Sequence, residues 1–177
     1  PEWFNYFDMA CEVFSPLEWR KNKHELIPVY PSEYAIIARK ETPIHNIEDL
    51  KDLRAVTGEQ SVYEEILIEN GIDNYYFEKV NNYLPDVNSG KADFTIMYNA
   101  FAEISSYPDL EVKLTMGSLN ICWGIRKDQL QLKQELESFI KASSENGLIK
   151  VLKKSMQKGR LMCWDRRGSR SFSGHRE

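Results

Sequence analysis

LRAVTGEQSVYEEILIENGIDNYYFEKVNNYLPDVNSGKADFTIMY, residues 53–98, is the stretch whose pattern decides the fold. Leu53 to Thr57 reads as a strand that stops at Gly58, and Ser61 to Asn70 reads as a helix. Ser61 and Glu64 have capping-box spacing, and Gly71 stands where a helix terminates. Tyr76 to Val80 is a second strand, rich in aromatic and branched side chains. A short helical piece runs from about Asn82 to Gly90, and Asp93 to Tyr98 is an apolar third strand. Strands alternating with helices at this spacing predict an α/β fold, a doubly wound and mainly parallel sheet covered on both faces.

Outward from this core, a helix is expected near Ala100 to Ser106 and a further strand over Glu111 to Met116. Two longer apolar stretches, Tyr34 to Arg39 and Leu119 to Arg126, flank the unit. A helix from Asp128 carries Leu132, Leu136, Phe139 and Ile140 at helical spacing before Gly147. Another is expected over about Leu148 to Lys158, and the Arg-, Gly- and Ser-rich tail to Glu177 shows little periodicity.

Composition narrows the function. At 177 residues the chain is long enough for one domain with a real core but short for two. A net charge of −4 supplies no basic stripe for nucleic acid, and no apolar run approaches the roughly 18 residues of a membrane span. Cys11, Cys122 and Cys163 are scattered and lack metal-ligand spacing, as do His24, His45 and His175. No metal or cofactor is expected. The cysteines read as small buried hydrophobes, and nothing selects a disulfide pair among them. There is no Gly-x-Ser-x-Gly, no His-Glu-x-x-His and no convincing Cys/His pair, so no enzyme is expected.

The order of elements resembles the family-3 extracellular solute-binding proteins, which have the type II periplasmic-binding fold. Asp8-Met9-Ala10, Ser15-Pro16-Leu17-Glu18-Trp19-Arg20, Tyr34 to Lys40, Ile47 to Lys51, Asn88 to Asp93 and Trp123 to Asp128 carry the resemblance in sequence order. It implies an N-terminally truncated member: the end of lobe 1 at residues 1–33, a crossing strand at 34–40, lobe 2 at 41–118, a return crossing at 119–126, lobe 1 helices at 127–158 and a tail at 159–177. The cleft would be incomplete, or completed by self-association or another chain. The resemblance also implies a periplasmic or extracytoplasmic setting. A transporter membrane component or a receptor signalling domain would then be the partner. The alternatives are a sensory or non-catalytic domain of a larger receptor or cell-wall lytic transglycosylase, with a ligand site that has degenerated.

In open parallel sheets a ligand sits beyond the carboxyl ends of the strands. That rule selects Gly58, Glu59, Gln60 and Ser61 after the first strand, and Tyr98 and Asn99 after the third. A helix start there offers free N–H groups to an anion, although the Ser61 hydroxyl can equally cap its own helix. Arg20 matches the family's carboxylate-binding Arg, in a segment one residue longer; otherwise it is a surface residue pairing with Glu18 or Glu25. Tyr98 and Asn99 stand near the place where amino-acid-binding members hold an ammonium group with Asp, and both are neutral at pH 7. Tyr98 is otherwise a plain core-edge aromatic. Trp19, Tyr30, Tyr34 and Trp123 either line the cleft or pack between lobes.

Overall fold

The computed structural model describes residues 8–79, 82–98 and 104–151, without the side chains of Glu12 and Val13. In chain order it contains β1 (Met9–Phe14), α1 (Glu18–Lys23), β2 (Glu25–Arg39), a 3-10 turn (Glu48–Leu50), β3 (Ala55–Thr57) and α2 (Val62–Glu69). There follow β4 (Tyr75–Phe77), α3 (Tyr83–Asn88), β5 (Phe94–Tyr98), β6 (Leu110–Ile125) and α4 (Leu130–Glu145). The strands form one six-stranded sheet in the order β1-β6-β2-β5-β3-β4.

The three short strands pair in parallel, β4 on β3 and β3 on β5. They do so because a helix lies between each pair in sequence and returns the chain to the same end of the sheet. Alternate residues of each strand feed opposite faces. Ile36, Ala38, Ala55, Phe94 and Ile96 join Val62, Ile66 and Leu67 of α2 in one cluster. Ile37, Val56 and Met97 join Tyr83, Leu84 and Val87 of α3 in the other. Both faces are covered, so β3 is buried along its whole length, and each fully buried large apolar side chain contributes about 1.5–3 kcal/mol.

Strands β2 and β6 are much longer, and they pair antiparallel from Glu25↔Ile125 to Arg39↔Leu110. Residues 111–116 and 119–126, read from sequence as separate stretches, fall on one strand that ends at Ile125. Gly117, at φ 150°, does not turn the chain; it sits beside a bulge, where the register shifts between Tyr34 and Ala35. The strand containing Tyr34 to Arg39 likewise begins earlier, at Glu25. Pro28 and Pro31 are tolerated there because β5 pairs only with residues 34–38 of β2, so the first half has an unpaired edge among the described residues. At that end β1 pairs with β6, and Ile27 and Ile125 pack with Ile140, Leu132 and Leu136 of α4.

The Gly90–Asp93 turn has a structural explanation. Arg39 reaches under it and donates from Nη1 to the carbonyls of Val87 (2.6 Å) and Ala92 (3.0 Å). The Asp93 carboxylate accepts from the Arg54 N–H (2.9 Å), and Gly90 takes φ 80°. The Leu148–Lys158 helix is described only as far as Val151. Most of the helix expected at 100–106, and the 159–177 tail, lie outside the described residues.

Candidate functional site

Ser15 and Pro16 end the β1 segment, and Leu17 starts α1 with its side chain buried in the α2-side cluster. Trp19 packs against the same cluster. This docking presses the start of α1 onto the carboxyl end of β5, where the Ser15 Oγ lies 3.2 Å from the Tyr98 hydroxyl, 83 residues away in sequence. Tyr98 is fixed from its other sides. Its N–H donates to the Tyr63 hydroxyl (3.0 Å), and its ring meets those of Tyr63 and Tyr34 edge-on, with centroids 5.5 Å and 6.4 Å apart.

Arg20 lies beside this hydroxyl group. Its guanidinium covers the Trp19 ring at 4.9 Å and the Phe14 ring at 5.7 Å, and Nη1 donates to the Ser15 carbonyl at 3.3 Å. Burial lowers its pKa, which the negative charge of Glu65 opposes. The alternative sequence partners Glu18 and Glu25 are engaged elsewhere, Glu18 with Lys21 at 2.6 Å and Glu25 with Lys133 at 2.7 Å. Arg20 therefore faces the α2 flank and the end of β5. Burial raises the pKa of Tyr98, so its hydroxyl stays protonated at neutral pH.

The Gly58–Ser61 loop joins β3 to α2. A Cβ at Gly58 would lie 2.3 Å from the Tyr83 hydroxyl, so this close approach requires glycine. Gln60 takes φ 54°. Ser61 caps α2, its Oγ accepting from the Glu64 N–H at 3.2 Å, while the Glu64 carboxylate accepts from the Gln60 N–H at 2.6 Å. The Ser61 hydroxyl is thus a helix cap, and Glu64 already places negative charge at the helix start.

The structure brings Arg20 and Tyr98 together and places Gly58, Gln60 and Ser61 on the neighbouring loop at the start of α2; Asn99 lies outside the described residues. Sequence reasoning missed Ser15, Tyr63 and Glu65, whose roles depend on contacts between distant segments. Trp123 stacks on Phe139 at 6.5 Å within the α4 cluster, and Tyr34 packs on the main core. A separate cavity of about 340 Å³ lies between α1 and the paired stretch of β2 and β6, lined by residues including Lys21, His24, Pro28, Asn120 and Cys122. It includes none of the residues selected from sequence.

Among the described residues no cluster of His, Cys, Asp or Glu is arranged to hold a metal ion, and no helix is long and apolar enough to cross a membrane. Cys11 and Cys122 are free thiols, exposed and buried respectively; Cys163 lies outside the described residues.

No protein-family model matches the chain, and no curated protein matches it in sequence. Solved structures do. The amino acid ABC transporter substrate-binding protein AbpA from Streptococcus pneumoniae, bound to L-arginine, superposes with a TM-score of 0.78 at 20% identity, over 90% of this chain and 71% of that one. A cysteine-binding protein from Campylobacter jejuni gives 0.77 at 16% identity, over 90% and 68%. The holo form of ArgBP from T. maritima gives 0.74 at 16% identity, over 88% and 73%. With helices on both faces of its short parallel strands and two long strands spanning the sheet, the chain has the type II periplasmic-binding fold shared by these solute-binding proteins.

Proposed function

We propose that the chain is a non-catalytic, extracytoplasmic binding module that captures a small polar ligand bearing a carboxylate. Lobe 2 (41–118) and the lobe 1 segments (1–33 and 127–158) form the two sides, and residues 34–40 and 119–126 carry the crossings. The observation that supports this best is the convergence of Arg20 with Ser15 and Tyr98 at the carboxyl end of β5. A guanidinium held by the Ser15 carbonyl and two aromatic faces is preorganised to pair with a carboxylate in two-pronged fashion. Gly58, Gln60, Ser61 and Asn99 complete the proposed ligand set. The structural neighbours carry names of amino-acid-binding proteins, one of an ABC transporter, which favours delivery to a transporter membrane component as the biological use.

A second reading has its own observation. The Glu64 carboxylate already occupies the Gln60 N–H, and Ser15 already bonds Tyr98. A domain whose cleft has lost its ligand and serves a larger receptor would keep such internal pairings.

Thermal-shift screening of the 177-residue chain against amino acids, organic acids and sugar acids tests the two. A ligand at a hundredfold excess over its Kd adds about 2.7 kcal/mol, which is a rise of roughly 5–10 °C in Tm for a domain of this size. A hit that disappears in Arg20→Ala supports the binding reading. A well-folded chain that no solute stabilises supports the second.

A further inference from the structure

The loop at the start of α2 already holds a carboxylate, and it is the chain's own. Glu64 Oε2 accepts from the Gln60 N–H at 2.6 Å, while the Glu64 N–H donates to the Ser61 Oγ at 3.2 Å. Gln60 takes φ 54°, a left-handed conformation that an L side chain adopts at a cost. The charged bond to Glu64 offsets that cost and keeps the N–H turned toward an anion. Glu64 is partly exposed, so water can receive its carboxylate when the bond is released.

A ligand carboxylate held between Arg20 and this loop makes the same bond to Gln60 that Glu64 makes. Two carboxylates repel each other and cannot share one N–H in good geometry, so ligand and Glu64 exclude each other there. The ligand then binds the fraction of molecules in which Glu64 has swung into water, and its apparent affinity falls by that fraction. If the Glu64 bond is worth an ordinary hydrogen bond, the fraction is roughly one in six.

We propose that Glu64 is a built-in competitor of the ligand's carboxylate: it keeps the Gly58–Ser61 loop in its binding shape between ligands and weakens binding so that the ligand is released. The proposal rests on the binding reading above, under which the Glu64–Gln60 bond is a placeholder and not a remnant.

The test is a nuclear magnetic resonance titration of the 15N-labelled chain with sodium acetate, against sodium chloride at matched ionic strength to remove the effect of screening. The Gln60 amide and the Arg20 side-chain Nε–H are the reporters. Glu64→Ala vacates the N–H and should reach half-saturation at roughly one sixth of the acetate that the unsubstituted chain needs. Glu64→Gln keeps a weaker, neutral acceptor and should fall between the two; where Glu64→Ala fails to fold, it carries the test. Glu69→Gln removes the same charge at the other end of α2 and should leave half-saturation unchanged. A response of Gln60 and Arg20 that emerges only once Glu64 is replaced also supports the proposal. Glu64 variants that bind acetate no more tightly than the unsubstituted chain overturn the proposal, as does an equal gain in Glu69→Gln; the binding reading survives either result while Arg20 responds. No response of either reporter in any folded variant overturns the binding reading and this inference with it.

Discussion

Replacing Gly58 by Ala isolates one contact that shapes the candidate site. The new methyl carbon would lie 2.3 Å from the Tyr83 hydroxyl oxygen, while its next neighbours, Tyr83 Cζ at 3.6 Å and Ser61 Cβ at 3.8 Å, are at ordinary contact distance. The far end of a flexible side chain would move aside cheaply, but Tyr83 is only 3% exposed and packed against Val56, Leu84 and Val87. The collision must instead shift a buried ring or the Gly58–Ser61 loop. Overpacking of this kind costs about 1–3 kcal/mol; a mid-range value of about 2 kcal/mol lowers Tm by roughly 4–8 °C. Because one oxygen causes the clash, Tyr83→Phe should relieve it. Equilibrium urea unfolding of the two single variants and the double variant should give an interaction energy of about 1–3 kcal/mol, with Gly58→Ala nearly free once Tyr83→Phe is in place. If Gly58→Ala costs the same with and without that second substitution, the tight approach of Tyr83 is not the reason this position is glycine.

Three further outcomes follow from other contacts. Arg39→Ala leaves two carbonyls of the Val87–Ala92 turn without their charged donor, and urea unfolding should show a loss of about 2–3 kcal/mol. Tyr76 donates to Asp86 at 2.7 Å, and burial together with that carboxylate pushes its phenol up to about 12. Ultraviolet titration should show one phenolate appearing near pH 12 rather than 10, and Asp86→Asn should move it down. The folded form holds this proton more tightly, so the contribution to stability is complete below pH 10 and is lost as pH rises from 10 through 12. Burial raises the pKa of both Cys11 and Cys122, but Cys11 is exposed. Mass mapping at neutral pH should find maleimide on Cys11 slowly, and on Cys122 only after unfolding.

The parallel core was legible in the sequence because it is written locally. The cap at Ser61, the stop at Gly71 and the apolar runs at 53–57 and 93–98 each announce an element within a few residues of itself. The unbroken length of β6 was not legible, since a Gly beside a bulge looks in sequence like a Gly in a turn; only the opposing Tyr34 shows the difference. The candidate site divides the same way. The strand-end rule reached Tyr98 and the Gly58–Ser61 loop, and the resemblance of the Ser15 to Arg20 segment to the family's carboxylate-binding element pointed to Arg20. Neither the Ser15–Tyr98 bond nor the Tyr83 oxygen that makes Gly58 obligatory leaves any local mark, because their partners lie 83 and 25 residues away. Glu64 is a further lesson. Its spacing from Ser61 signalled a cap, but not that its carboxylate would sit on the Gln60 N–H and compete with an incoming anion.

The central claim, that a carboxylate ligand is gripped between Arg20 and the ends of β3 and β5, is tested most directly by nuclear magnetic resonance on the 15N-labelled chain. A bound acid should shift the Arg20 side-chain Nε–H and the backbone amides of Gly58 to Ser61 and Tyr98 together, with one saturation curve, and Arg20→Ala should abolish the response. Shifts confined to the Lys21, His24 and Cys122 cavity, with Arg20, Tyr98 and the Gly58–Ser61 loop unmoved, would contradict the claim.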